Sequence, residues 1–243
     1  MFTKKDLKNH KKSARLLLKI KDKLFIYLQK NKDVSEDEAQ QFILNKFREF
    51  GIDSDKDPPI VAFGKNTSIV HYFPAKDSNI IKENDLILVD IWGNLKSTKS
   101  LFSDITWMAY NGKKIPREIQ KIWDIIKKIR GEIIEDLENN LKENVIPTGQ
   151  ELNQITKDVM AKHGFLKQPH STGHSIGFEG PHGDLGGINS TNNNPLEKNV
   201  CYTIEPGLYI KNKFGLRTEI DFYIDDKNKL VLTTDLQNEI ILL

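Results

Sequence analysis

Isolated acidic residues in apolar segments constrain this chain more than any other feature of its sequence. Asp90 interrupts the apolar run Leu86–Trp92, and Asp104 opens the next apolar run fourteen residues after Asp90. Glu205 and Glu219 lie in two later segments of the same kind. A carboxylate in such a run has a large desolvation cost unless it is paired, bound to a metal, or placed at a strand end that faces water. Two strands joined by a loop can bring two such carboxylates together, and a divalent cation relieves their repulsion.

Three histidines, His170, His174 and His182, lie within thirteen residues. A single histidine is more often a hydrogen-bonded structural residue, but a cluster of three favours metal binding. Gly173 and Gly177 flank His174 and allow a backbone or a substrate to approach closely. The spacing of His170 and His174 also suggests a zinc peptidase with His-Glu-x-x-His on a helix, but the glutamate is absent. Four carboxylates and one histidine form an oxygen-rich ligand set, which suits Mn, Co, Fe or Zn ions and differs from a site built of thiolates.

Composition excludes several classes of partner. The chain has 243 residues with a net charge of +2, so electrostatics give no reason to expect nucleic acid or an anionic membrane. A single cysteine excludes an intramolecular disulfide and favours a reducing compartment. The N-terminus is charged from its fourth residue, and no apolar run approaches the roughly 20 residues of a membrane span. We therefore expect a cytoplasmic protein with one domain over residues 1–243.

Periodicity predicts an α+β protein. The predicted helices cover 4–30, 36–50, 116–141 and the segment from the capping box of Thr148 and Glu151 to Gly164. The first helix is basic and amphipathic, which suits either a surface helix packed on its own domain, the favoured interpretation, or a membrane or partner element. The predicted strands cover 60–63, 68–72, 86–92, 105–110, 200–205, 208–211, 218–225, 230–234 and 238–242. We expect loops at 93–103 and 183–194.

The order of these motifs resembles the M24 metallopeptidases of pita-bread fold. The strongest parts are Thr203-Ile204-Glu205-Pro206-Gly207 and Gly215-Leu216-Arg217-Thr218-Glu219, preceded by two aspartates and a Gly-His pair. The similarity extends from about Pro59 to Glu219. The family includes methionine aminopeptidases, proline aminopeptidases, prolidases and, as a non-peptidase relative, creatinase. The resemblance implies a curved antiparallel sheet covered by helices, and a peptide as substrate.

Residue by residue, the resemblance implies a centre with two divalent metal ions. It assigns five ligands: Asp90, Asp104, His174, Glu205 and Glu219. It also makes Glu205 the general acid and base. His71 and His182 correspond to histidines that face the substrate, and His170 and Arg217 to further substrate-binding residues of proline-specific members. A homodimer is compatible with this family.

Within the family, His71-Tyr72-Phe73-Pro74 favours the proline-specific members, and the length is that of a catalytic domain without their N-terminal domain. The loop between Asp90 and Asp104 is longer than usual, and His182 lies farther from His174, so we expect a bulge near Gly180–Pro181. No arginine lies between His182 and Cys201, where prolidases have one that binds a carboxylate. The alternatives are a methionine aminopeptidase, a non-catalytic binding module of the same fold, and a creatinase-like hydrolase.

Overall fold

The computed structural model describes residues 2–166 and 168–243. Its long helices are α1 (Lys4–Lys30), α2 (Glu36–Phe50), α3 (Arg117–Lys142) and α4 (Gly149–Lys162). Capping boxes open α1, α2 and α4, at Thr3, Ser35 and Thr148. Pro116 precedes the first turn of α3. The capping boxes depend on contacts three residues apart, and proline has a fixed φ that suits the start of a helix, which is why the sequence predicts these four helix starts closely.

The first sheet has the strand order β1-β3-β4-β12, with β2 also paired to β3. Its strands are β1 (Ile52–Asp53), β2 (Ile60–Phe63), β3 (Leu86–Leu95), β4 (Ser103–Tyr110) and β12 (Ile241–Leu242). β3 and β4 are antiparallel, with Asp90 opposite Thr106 and Asp104 opposite Trp92. Because side chains alternate between the two faces of a sheet, Asp90 and Asp104 lie diagonally on the same face.

That face points towards the rest of the molecule. Ile87, Val89 and Ile91 belong to a core that also contains buried residues of α1 and α2. Leu88 and Trp92, whose side chains lie on the same face of β3 as that of Asp90, belong to the larger core with α3, α4 and the second sheet. Asp90 therefore projects into the interior rather than to water at a strand end, and it is only 8% exposed.

The second sheet has the order β11-β10-β7-β5-β6. Its strands are β5 (Gly173–Ile176), β6 (His182–Ile188), β7 (Cys201–Ile204), β10 (Ile220–Ile224) and β11 (Leu230–Leu232). A separate antiparallel pair consists of β8 (Gly207–Ile210) and β9 (Phe214–Arg217). Antiparallel pairing dominates among the described strands, as expected, and β4 and β12 form a parallel pair.

Two predictions about secondary structure are wrong. Residues 68–72 do not form a strand, because a 3₁₀ turn covers Gly64–Ser68 and the chain then turns again through His71. Thr67 Oγ1 and Ser68 Oγ donate to the carbonyls of Gly64 and Lys65, which are local bonds that compete with a strand ladder. The predicted loop 183–194 begins inside β6, which pairs with β5.

Other boundaries differ by a few residues. β3 continues to Leu95 and β4 begins at Ser103, so the loop between them is shorter than the predicted 93–103. The predicted strand 238–242 is reduced to β12, and β1, β5 and β9 are strands that the sequence did not predict.

The apolar side of α1 is buried within the fold. Leu17, Ile20 and Leu24 are fully buried in the core shared with β3 and β4. The interpretation of α1 as a helix packed on its own domain is therefore correct. Over the part of the chain that the structure describes, no helix is both long and apolar enough to cross a bilayer.

Candidate metal centre

Both sheets contribute to one cluster of carboxylates and histidines. Asp90 and Asp104 come from β3 and β4 of the first sheet. His174 lies on β5, Glu205 directly follows β7, and Glu219 directly precedes β10. The cluster lines a cavity of about 330 Å³ that also contains His71, His170, His182 and Arg217. All nine predicted site residues therefore border the same cavity.

His174 is at the centre of the acidic groups. Its Nε2 lies 3.8 Å from Asp104 Oδ2, 3.6 Å from Glu205 Oε1 and 3.8 Å from Glu219 Oε1. Ligand atoms of Asp104, His174 and Glu219 all lie within 4.8 Å of one another. This buried group could hold a metal ion, because imidazole and carboxylate are common ligands of Zn, Mn and Fe.

The tautomer of His174 suits a ligand. Its Nδ1 lies 3.0 Å from the carbonyl oxygen of Ser175, which can only accept a hydrogen bond. Nδ1 therefore carries the proton, and the lone pair of Nε2 points to the acids. Burial and the neighbouring His182 lower the pKa of His174 to about 3, so the ring is neutral. A neutral imidazole oriented by a backbone carbonyl is the usual arrangement of a metal-binding histidine.

The positive charge near the buried carboxylates is too small to balance all four of them. Burial, followed by the charge of neighbouring acids, raises the pKa values of Asp104 and Glu219 well above their usual range. Burial raises the pKa of Glu205 to about 8. Asp90 Oδ1 and Asp104 Oδ1 are buried and lack a hydrogen-bond partner among the described residues. Unpaired oxygens in a repulsive acidic cluster fit divalent cations, which would supply the missing charge and accept those lone pairs.

Arg217 supplies positive charge on one side of the cluster. Its side chain is 3% exposed and forms an ion pair with Asp90. Nε and Nη1 also donate to Thr106 Oγ1 and Tyr209 Oη, each at 3.1 Å. The guanidinium thus orients Asp90 and Thr106, and Thr106 Oγ1 in turn donates to Glu219 Oε2 at 2.9 Å. Contact with a substrate, which the sequence predicts for Arg217, stays a prediction.

His170 and His182 flank the acids. His170 Nδ1 lies 2.8 Å from the carbonyl of Ser171 and 3.6 Å from Glu205 Oε2, and Nε2 lies 3.0 Å from Tyr209 Oη. The His182 ring centroid lies 4.2 Å from that of His174, so His182 lies beside the cluster. We expected a bulge near Gly180–Pro181. The register of the β5–β6 pair instead shifts within β6, between His182 and Gly187.

Several neighbours of the cluster were not singled out by the sequence. Tyr209 joins Arg217 to His170, and Thr106 joins Arg217 to Glu219. Asp221 is fully buried and accepts hydrogen bonds from Ser103 and Asp104, the first two residues of β4. An isolated acid in the apolar strand 220–224 is the same signal as Asp90, and it could have identified Asp221.

Comparison with known proteins finds similarity to a family of metallopeptidases. The sequence model of metallopeptidase family M24 matches residues 8–226. An uncharacterized peptidase of Staphylococcus epidermidis is 27% identical over 201 residues, which cover 82% of this chain and 53% of that protein. A Mycoplasma genitalium protein with the name "Putative Xaa-Pro aminopeptidase" is 33% identical over 196 residues, 79% of this chain and 51% of that protein. The chain spans about half the length of these curated relatives.

The crystal structure of an X-Pro aminopeptidase from Thermotoga maritima superposes with a TM-score of 0.87 at 20% identity. The likeness covers 100% of this chain and 64% of the Thermotoga chain. At this identity the comparison concerns the fold alone. It confirms the predicted α+β pita-bread fold with curved antiparallel sheets.

Proposed function

The chain belongs to metallopeptidase family M24, and on that premise we propose that it is an exopeptidase with two divalent metal ions that hydrolyses the N-terminal bond of peptides, with preference for Xaa-Pro bonds. One observation carries the proposal. Asp104, His174 and Glu219 offer ligand atoms within 4.8 Å of one another, and Glu205 and Asp90 border the same cavity. We assign all five residues as metal ligands.

When bound there, divalent ions would polarise the scissile carbonyl and lower the pKa of a water. Glu205 is the group proposed to move the proton: once its carboxylate is ionised beside a bound cation, it can accept a proton from water and pass it to the leaving nitrogen. His170 Nδ1 lies 3.6 Å from Glu205 Oε2, so the ring borders that carboxylate without a hydrogen bond to it. In the protein without metal, burial raises the pKa of Glu205 to about 8, so a bound cation would be needed to keep its carboxylate ionised at neutral pH.

His182 and His71 would face the substrate. Burial lowers the pKa of His182, so its ring is neutral and can donate one hydrogen bond to the oxygen on which negative charge develops. His71 lies on the turn after Gly64–Ser68, far from His182 in the sequence, and it lines the same cavity. Both rings can orient the carbonyl of the first peptide bond.

The walls of the cavity support the preference for proline. Apolar side chains line it beside the acids, from Ile60, Val70, Phe73, Trp92 and Pro181. Such a wall suits the apolar pyrrolidine ring, which has no N–H and makes no demand for a hydrogen-bond acceptor. The name of the Mycoplasma relative points in the same direction.

The test combines metal analysis with a small peptide panel. Protein stripped with EDTA is reloaded with Mn²⁺, Co²⁺ or Zn²⁺, its metal content is measured, and Ala-Pro-Ala is compared with Met-Ala-Ser. We expect two ions per chain and metal-dependent cleavage of Ala-Pro-Ala. Faster cleavage of Met-Ala-Ser indicates a methionine aminopeptidase instead, and metal binding without cleavage of either peptide indicates a binding module.

His174→Ala and His163→Ala form a matched pair for this assay. His174 is buried among the acids, whereas His163 is exposed where α4 ends. Loss of metal and activity in the first variant only is the expected result. Equal loss in both, or in neither, contradicts the assignment of His174 as a ligand.

A further inference from the structure

Asp221 is a buried acid behind the metal centre that the proposed reaction does not use. It lies on β10, two residues after Glu219, and is 0% exposed. Its Oδ2 accepts hydrogen bonds from Ser103 Oγ at 2.6 Å and from the backbone N–H of Asp104 at 2.9 Å. One carboxylate oxygen of the second sheet thus fixes the start of β4 in the first sheet. Asp104 is one of the proposed ligands, so this bond acts at the centre itself.

A second buried group holds the same segment from α1. His10 Nδ1 lies 2.6 Å from the carbonyl oxygen of Phe102, and Nε2 lies 2.8 Å from Thr233 Oγ1. Burial lowers the pKa of His10 to about 4, so the ring is neutral and Nδ1–H donates to Phe102. The segment from Phe102 to Asp104 is therefore held at three consecutive residues. Two of the holding bonds come from Asp221 and one comes from His10.

We propose that Asp221, supported by His10, is a positioning residue that holds the Asp104 carboxylate where it can bind metal. The inference rests on the metal centre of the proposed function. Ser103 is 0% exposed and Asp104 is 5% exposed, so no solvent is available to replace a lost acceptor. Without the Asp221 carboxylate, the Ser103 hydroxyl and the Asp104 N–H would be buried without a partner, and β4 would shift to satisfy them.

A shift at the start of β4 moves a ligand. Asp104 and Asp90 lie on the same face of a continuous antiparallel pair, and Asp104 Oδ2 is 3.8 Å from His174 Nε2. Removal of a partner that orients a metal ligand typically lowers metal affinity 10- to 100-fold. We expect a loss of that size from Asp221→Ala, although Asp221 contacts neither metal nor substrate.

Gln237 provides a matched control, since it fixes the same strand at a point away from the centre. Its Oε1 accepts from Met108 N at 2.8 Å and its Nε2 donates to Met108 O at 2.6 Å. Gln237 is 2% exposed. Gln237→Ala therefore removes two buried bonds to β4, as Asp221→Ala does, but not at a proposed ligand.

The Asp221→Asn variant distinguishes an effect on the position of Asp104 from an effect on the thermal stability of the protein. Its carboxamide oxygen can keep the bonds to Ser103 and Asp104, whereas its NH₂ would occupy the place of Asp221 Oδ1, which lacks a partner among the described residues. We expect this variant to lose thermal stability but to bind metal within about threefold of the parent protein. Rescue of affinity without rescue of stability is a result that a merely structural role would not produce.

The experiment measures Co²⁺ affinity by calorimetric titration, the visible absorption of bound Co²⁺, and the melting temperature without metal. We expect Asp221→Ala and Gln237→Ala to melt at similarly lowered temperatures. Only Asp221→Ala should bind Co²⁺ about 10- to 100-fold more weakly and with an altered spectrum. If Asp221→Ala does not fold, Asp221→Ser, whose side chain is too short to restore both bonds, is measured in its place.

Unchanged Co²⁺ affinity in Asp221→Ala, or an equal loss in Gln237→Ala, would overturn the inference. Failure of the unmodified protein to bind Co²⁺ at all would instead refute the metal centre of the proposed function. The two failures are thus distinguishable in one set of titrations.

Discussion

Replacement of Arg217 by methionine tests how charge is balanced in the centre. Arg217 and the Asp90 side chain are 3% and 11% exposed, so the ion pair between them is shielded from water. The variant keeps most of the side-chain volume but leaves the Asp90 carboxylate buried without its cation. Thr106 Oγ1 and Tyr209 Oη each lose one donor as well.

The size of the effect follows from burial. Removal of one partner of a buried ion pair destabilises a protein by about 3–5 kcal/mol. For a chain of this size, 1 kcal/mol corresponds to a change of roughly 2–4 °C in melting temperature. We therefore expect the metal-free variant to melt roughly 6–20 °C below the parent protein, as measured by circular dichroism in EDTA.

Metal should compensate for part of this loss. The variant has one positive charge fewer beside four carboxylates, and we expect this loss of repulsion to outweigh the lost orientation of Asp90, so a divalent cation should bind more tightly. A ligand that binds only the native state stabilises it by about 2.7 kcal/mol at a concentration of 100 times its Kd. Addition of Mn²⁺ should therefore raise the melting temperature of Arg217→Met more than that of the parent protein.

Arg130 is the matched control. It is 2% exposed and donates to Thr218 Oγ1 at 2.7 Å and to the Gln237 carbonyl at 2.8 Å, and it forms no ion pair with an acid among the described residues. Arg130→Met should lower the melting temperature without a change in the response to Mn²⁺. The reasoning is refuted if Arg217→Met loses no more stability than Arg130→Met and responds equally to Mn²⁺.

Three further predictions concern the proposed reaction. Asp104→Ala should abolish metal-dependent peptide cleavage while circular dichroism still shows a folded protein; activity that survives complete metal loss contradicts its role. His182→Ala should lower kcat more than it lowers metal content, and unchanged turnover would exclude the ring from the reaction. In the metal-free protein, burial raises the pKa of Glu205 to about 8, so between pH 6.5 and 8 the native state holds a proton that the unfolded chain has released. Stability in urea should therefore fall as pH rises, by up to about 1.4 kcal/mol per pH unit, and Glu205→Gln should flatten this slope; a rise over the same interval contradicts the buried, protonated carboxyl.

Local contacts explain what could be predicted. Ser35 and Glu38 form the expected capping box, and so do Thr148 and Glu151, because a capping box depends on residues three apart. Asp90 is buried as its apolar neighbours suggested. The pita-bread fold followed from the order of motifs in the chain and is confirmed, whereas the roles of the five proposed ligands stay predictions.

Contacts between distant segments explain one of the two errors in secondary structure, and local contacts explain the other. Gly183 and Gly187 indicate a loop when the sequence is considered alone, but in the fold they allow β6 to pair with β5. A Cβ atom at these positions would lie 2.8 Å from the carbonyl oxygen of Ile176 and 2.7 Å from that of Gly173. The branched residues near Ser68 indicate a strand, yet hydroxyl bonds to the preceding turn replace the ladder.

The amino-acid sequence by itself determined where helices begin, which face of each strand is apolar, and which acids need a partner, since these depend on neighbours along the chain. Only the tertiary structure decided which partners they have. Asp90 pairs with Arg217, 127 residues away, and Asp221 holds the backbone of Asp104, 117 residues away. Such pairs depend on how the two sheets pack, because burial between the sheets removes water and leaves each buried acid dependent on the groups that packing brings to it.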